Sequence, residues 1–221
     1  KISKTDPECG FFHKGEHKKV FAYSSNTACD GNNFVLAFEL APGNAHDSTT
    51  FLKLYSNLKE KYKDFHRVVV DAGYKIPAIA KIIIDDGKIP VMPYKRPMTK
   101  IGFFKKHEYV YDEYYDCYIC PNEMVLKYST TNREGYKEYK SNPSDCIKCS
   151  NKSKCTESKN SIKVVTRHVW EKYIEEVEDI RYSMGMREIY SLRSQTIERI
   201  FADAKELHGM RYTQYRGLAK V

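Results

Sequence analysis

The spacing of apolar positions changes several times along this chain, and each change marks an element. Residues 1–5 (KISKT) mix polar and apolar side chains and run into Asp6-Pro7. A residue before proline favours extended backbone, so this segment reads as the end of a first strand. A basic loop with His13, Lys14 and His17 to Lys19 follows. Residues 20–29 are β-prone, Asp30-Gly31-Asn32-Asn33 is a turn, and residues 34–40 are apolar and extended, so the three predict a hairpin. Pro42-Gly43-Asn44 breaks it. From His46-Asp47-Ser48 the period lengthens: Phe51, Leu54, Tyr55 and Leu58 recur at helical spacing towards Tyr62, with Asp47 or Ser48 as the cap. Val68-Val69-Val70 is an unbroken β-branched run, the pattern of a central strand covered on both faces, and Asp71 stands where it stops. Residues 77–86 form a helix closed by Gly87, and residues 89–93 (IPVMP) a short fifth strand that enters a basic patch of Lys95, Arg96 and Lys100.

The second half is less regular. Residues 108–118 and 124–130 predict a hairpin across Pro121-Asn122-Glu123, followed by a polar, lysine-rich loop (SDCIKCSNKSKC). Residues 164–182 carry Val165, Val169, Tyr173 and Val177 at helical spacing, Gly185 interrupts, and a last long helix runs from Tyr190 to about Arg211. On that helix Glu198 and Lys205 lie two turns apart on one face, beside an apolar stripe of Ile197, Phe201 and Ala204.

An antiparallel trio followed by parallel strands joined through helices is the ribonuclease-H-like order. The expected class is therefore α/β, with a mixed five-stranded sheet flanked by helices. Residues 1–105 form the first part of the core, residues 106–163 a small zinc-binding β insertion, and residues 164–221 the closing helices. Ligands of open sheets sit at strand C-termini, which puts Asp71 in a crevice. The ends of the first and fourth strands are neighbours in such a sheet, so Asp6 and Asp71 converge there and the closing helix brings Glu198 to both. Three carboxylates can hold two magnesium or manganese ions, one activating an attacking oxygen and one stabilising the leaving oxygen of a phosphodiester. His46-Asp47 reads as a helix cap rather than a further ligand.

Charge narrows the partner. The formal charge is +8 and 18 residues are tyrosine, a balance suited to phosphates and bases. No apolar run approaches a membrane span and no signal-peptide pattern opens the chain, so a membrane partner is not expected and a cytoplasmic location is. Seven cysteines without a secretory signal read as metal ligands or free thiols. Cys146-x2-Cys149-x5-Cys155 needs one more ligand for a tetrahedral zinc ion. Cys120 at the hairpin turn supplies it, with Cys117 as the alternative. Cys9 and Cys29 read as packed thiols, and Trp170 as a core residue.

KTDPE around Asp6, PGNAHDS at 42–48, VVVDAGY ending at Tyr74, PYKRP at 93–97 and the final helix together resemble bacterial insertion-sequence transposases of the DDE type. The final helix is similar to the Tyr, Arg, Glu, Lys signature of that superfamily through Tyr190, Arg193, Glu198 and Lys205. Four residues separate Arg193 from Glu198, where the commoner form has three. The resemblance implies metal-dependent hydrolysis at transposon ends, then transfer of the freed 3′ hydroxyl into target DNA. Asp6, Asp71 and Glu198 hold the metals in that picture, and Tyr190, Arg193 and Lys205 contact phosphates, with Lys95 and Arg96 as further DNA contacts. A homodimer on double-stranded DNA and a nucleoid-associated bacterial protein are likewise implied. The chain opens almost at Asp6, without the helical DNA-binding region of complete relatives, so a catalytically silent DNA-binding fragment is the competing expectation. A zinc-stabilised nuclease unrelated to transposition is a third.

Overall fold

The computed structural model describes residues 1–14 and 18–221, so His17 of the predicted basic loop lies outside the described residues. In chain order the strands and helices are β1 (Gly10–Lys14), β2 (Lys18–Cys29), β3 (Val35–Pro42), α1 (Asp47–Lys61), β4 (Arg67–Val69), α2 (Pro77–Asp85), β5 (Ile89–Val91), β6 (Val110–Asp112), β7 (Cys117–Ile119), β8 (Val125–Thr131), β9 (Tyr136–Lys140), α3 (Pro143–Ile147), β10 (Val164–His168), α4 (Glu171–Tyr182), α5 (Met186–Ser191) and α6 (Ile197–Glu206). The fold is mixed α/β. Its contacts divide it into one unit of Lys1–Tyr94 with Tyr173–Val221 and another of Lys95–Lys172. None of the described helices is long and apolar enough to cross a membrane.

In the first unit β2 is long enough to serve two partners. Its first half pairs with β1 (Phe11↔Phe21, Phe12↔Val20) and its second with β3 (Thr27↔Phe38, Ala28↔Ala37), all antiparallel. β4 and β5 pair in parallel, Val68 against Pro90. The expected element order from the second strand onward is present, yet among the described residues the five strands form a three-stranded and a two-stranded ladder with no strand pair between them.

The first strand is also displaced. Residues 1–5 form none, and the chain turns at Asp6, whose carbonyl accepts from the Cys9 N–H (3.3 Å) and thiol (3.0 Å). Phe11 and Phe12 then supply the apolar residues that pair with β2, and Phe11 meets Phe21 edge-on at 5.2 Å.

The valine run is covered on one face only, and β4 has β5 as its one strand neighbour among the described residues. Val70 is buried and Val68 packs against the core, whereas Val69 is 37% exposed. The core joins Phe51 and Tyr55 of α1, Ile79, Ala80 and Ile83 of α2, Met92 after β5 and Val177 of α4. The cap of α1 is His46, whose Nδ1 accepts from the Ser48 N–H at 3.2 Å; Asp47 is the first helical residue. The buried Lys75 ties the turn after β4 to α4, donating to the Pro93 carbonyl (2.8 Å) and pairing with Glu178. Lys75→Met is expected to lower stability by about 1–3 kcal/mol, since it strips a partly buried carboxylate of one partner. An unchanged urea midpoint would contradict this.

Two helical expectations need correction. Residues 164–168 are strand β10, not helix: Val165 belongs to the core of the second unit while Tyr173 and Val177 pack in the first, so the helical spacing spans a unit boundary. The last helix is also broken. Gly185 (φ 82°) starts α5, a single 3-10 turn covers Leu192–Ser194, and Thr196 (φ −114°, ψ −100°) leaves helical geometry before α6. Side-chain hydroxyls explain the break. Ser191, Ser194 and Thr196 each donate to a carbonyl three or four residues back (2.7, 3.0 and 2.9 Å), which competes with regular helix hydrogen bonding.

The second unit is a meander of β6 to β10 in sequential order around Tyr109, Tyr118, Leu126, Tyr139 and Val165. Residues 108–118 are themselves a hairpin rather than one strand, turned at Asp116 (φ 44°), and β9 and β10 join as well, so the sheet has five strands where two were expected. Trp170, expected in a core, is 39% exposed beside His168. Asp116 accepts from the hydroxyls of Tyr139 (2.6 Å) and Tyr111 (2.7 Å) and from the Lys137 ammonium (3.0 Å). The Tyr139 hydrogen bond, followed by those of Tyr111 and Lys137, outweighs burial and holds the Asp116 carboxyl at about 2. A folded value below the unfolded one adds stability above about pH 4, which is lost as pH falls through about 2. Asp116→Asn is expected to flatten that acid dependence of the tyrosine near-ultraviolet signal; an identical acid transition would contradict it.

Candidate functional site

The acid after β4 and the acid of α6 meet at one cation. Asp71 leaves the strand in extended geometry (φ −77°, ψ 169°) and caps the 3-10 turn Ala72–Tyr74, its Oδ1 accepting from the Ala72 N–H at 2.6 Å. Gly73 lets this turn lie against α1, because a Cβ there would meet the Asp47 carboxylate at 3.2 Å. The guanidinium of Arg193 lies 3.4 Å from Asp71 Oδ1 and 3.8 Å from Glu198 Oε1, and its Nη1 donates to the Tyr190 hydroxyl at 2.9 Å. The extra residue between Arg193 and Glu198 is taken up by the helix break at Thr196. Arg193 and Glu198 therefore sit on different elements, and the arginine still reaches both acids.

Behind this group Tyr74 packs on Phe51 (5.9 Å) and donates to Asn26, whose buried side-chain amide nitrogen has no hydrogen-bond partner among the described residues. Burial first, then the Asp47 and Asp71 charges, push the Tyr74 hydroxyl up, with Arg193 opposing them, so it stays a donor.

Asp6 has partners of its own. Both of its carboxylate oxygens accept from the Tyr23 hydroxyl (3.0 and 2.8 Å), and Oδ2 also accepts from the Gly217 N–H at 3.3 Å. Loss of water and the Asp6 carboxylate push the Tyr23 hydroxyl up to about 12. The structure thus brings Asp71, Glu198, Arg193 and Tyr190 together, while the Asp6 carboxylate is hydrogen-bonded by Tyr23 and Gly217. Lys205 lies on α6 with its ammonium over the Phe201 ring at 5.7 Å, and Lys95 and Arg96 are exposed in the second unit. Tyr23 and Gly217 gave no signal in the sequence, since 17 and 211 residues separate them from Asp6.

Four cysteines line one small pocket of the second unit. Cys120, Cys146, Cys149 and Cys155 share it with Ser141, Asp145 and Lys163 among others, while Cys117 lines a different pocket with Asp112 and Tyr115. The Cys155 sulfur meets the Tyr109 hydroxyl at 3.2 Å, Cys146 donates to Ser141 at 3.1 Å, and the Met124 N–H points at the Cys120 sulfur (3.4 Å). Burial pushes the Cys155 thiol up. Four cysteines are the residue type and number that a closed tetrahedral zinc site takes. Among the described residues no three His, Cys, Asp or Glu side chains stand close enough to hold a metal ion, either here or at the acids.

Residues 119–221 match a family model described as the transposase DDE domain. No curated protein and no solved structure matches the chain. The matched stretch takes in Cys120, Cys146, Cys149 and Cys155 and all of Tyr190, Arg193, Glu198 and Lys205; Asp6 and Asp71 precede it. The match over residues 119–221 supports a DDE-type transposase.

Proposed function

We propose that this chain is the catalytic domain of a DDE transposase, hydrolysing phosphodiesters at transposon ends and transferring the 3′ hydroxyl into target DNA. The observation that carries this is the Arg193 guanidinium between Asp71 and Glu198: two carboxylates on separate elements already share a single cation position. Both acidic side chains are 58% exposed and open to an ion from solvent. Asp6, Asp71 and Glu198 would hold two magnesium or manganese ions, with Asp6 released from Tyr23 and Gly217. Such ions supply activation of the attacking oxygen and stabilisation of the leaving one. The chain's own side chains do the positioning: Tyr190, Arg193 and Lys205 hold the phosphates beside the scissile bond, and Lys95 and Arg96 bind backbone phosphates further along the double-stranded DNA.

An antiparallel trio followed by a parallel pair joined through helices supports a ribonuclease-H-like core. The second unit is its zinc-binding insertion, with Cys120, Cys146, Cys149 and Cys155 as ligands. A homodimer on DNA, in the cytoplasm and associated with the nucleoid, completes the proposal.

One observation favours a second reading, a catalytically silent DNA-binding fragment: Asp6 is occupied by Tyr23 and Gly217. Plasmids with and without the terminal repeats of the encoding element separate the two. A transposase nicks the repeat-bearing plasmid with magnesium or manganese and not with a chelator, whereas a silent fragment retains both plasmids without nicking either. Nicking that ignores the repeats would instead indicate a general nuclease.

A further inference from the structure

We propose that Arg193 couples metal binding to DNA binding, acting as the internal counter-ion of Asp71 and Glu198 until a DNA phosphate draws it away. This rests on the metal-site reading above. Arginine does not lose its proton in proteins, so its charge stays beside the two acids in the absence of metal. A divalent ion on those carboxylates would meet the guanidinium as a like charge at short range, and Arg193 must then give up one contact or the other.

The geometry says which contact it keeps. Its approaches to Asp71 (3.4 Å) and Glu198 (3.8 Å) are long for a charge-assisted hydrogen bond and do not make a paired fork with either carboxylate. Its bond to the Tyr190 hydroxyl is 2.9 Å, and the guanidinium carbon lies 5.3 Å from the centre of that ring. Arg193 is therefore anchored at Tyr190 and only leans towards the acids. A short swing about that anchor frees them and presents the planar fork to a phosphate, the group it fits best.

Because coupling between two sites is reciprocal, DNA must tighten metal binding by the same factor as metal tightens DNA binding. A protein that met metal without DNA would hold it weakly, and one that met both together would hold both well.

The test measures manganese affinity from the free-ion electron paramagnetic resonance signal, with and without a short duplex, on the whole chain. Wild type is expected to bind manganese roughly tenfold more tightly with DNA, within the usual range for coupled sites. Arg193→Gln is expected to bind manganese about tenfold more tightly than wild type without DNA, and to lose most of the further gain when DNA is added. Arg193→Lys, which keeps the charge without the fork, is expected to keep the weak metal-only binding. Arg199→Gln controls for net charge, since Arg199 faces Asp203 at 4.0 Å instead of the acids, and it should behave as wild type. If Arg193→Gln shows the wild-type coupling while Asp71→Asn loses manganese, the coupling is overturned and the metal site stands. If Asp71→Asn binds manganese like wild type, the metal site itself is overturned.

Discussion

Asp71→Asn and Glu198→Gln are each expected to lower magnesium-dependent nicking of repeat-bearing DNA by about 10³-fold, while the protein stays folded. Each change removes one charge and almost no volume. The amide oxygen introduced by Asp71→Asn can accept from the Ala72 N–H as the Asp71 carboxylate does, so the turn after β4 is retained. Both carboxylates are more than half exposed and neither belongs to the core, which limits the cost to stability. What is lost is a charged oxygen ligand, and several kcal/mol of transition-state stabilisation by metal corresponds to about three powers of ten in rate. The measurement is the initial nicking rate, read beside the urea midpoint. Wild-type rates in either variant would rule out a role for that acid.

The second large effect concerns the cysteine pocket. Roughly one zinc ion per chain is expected by elemental analysis, and Cys149→Ser should lose it and unfold the second unit at temperatures where the first persists. The reason lies in what the thiols border. Cys120 and Cys155 pack against the tyrosine-rich core of that unit, and the loop between α3 and β10 carries little else that is buried. Without a metal to close the loop, four half-buried thiols leave that edge of the core uncovered. The tyrosine near-ultraviolet signal should collapse on chelation and return with added zinc. A metal-free protein with an unaltered signal and melting temperature would contradict the zinc site.

Much of the first unit was legible because its signals are local. Phe51, Leu54 and Tyr55 at helical spacing, the valine run before Asp71, and Gly87 and Gly185 at helix boundaries all act within a few residues, and each element stands where its pattern put it. The first strand was misplaced because Asp6-Pro7 reads as a strand end, whereas the backbone turns there and pairing begins at Gly10. Most of the second unit was hidden for another reason. The strand YKEYK of β9 carries charges at three of its five positions, and Val165 of β10 happens to fall in helical phase with residues across a unit boundary. At the candidate site Asp71 and Glu198, which both approach Arg193, stood out by their positions in the chain. The surroundings of the acids did not, since Arg193 reaches Asp71 across 122 residues and Gly217 reaches Asp6 across 211.

The most direct test of the central claim is the number of manganese ions bound per chain in the presence of duplex DNA, by calorimetric titration of wild type, Asp6→Asn, Asp71→Asn and Glu198→Gln. Two ions in wild type, with at least one lost in each variant, are the predicted result. A stoichiometry unchanged in all three variants would contradict the metal site.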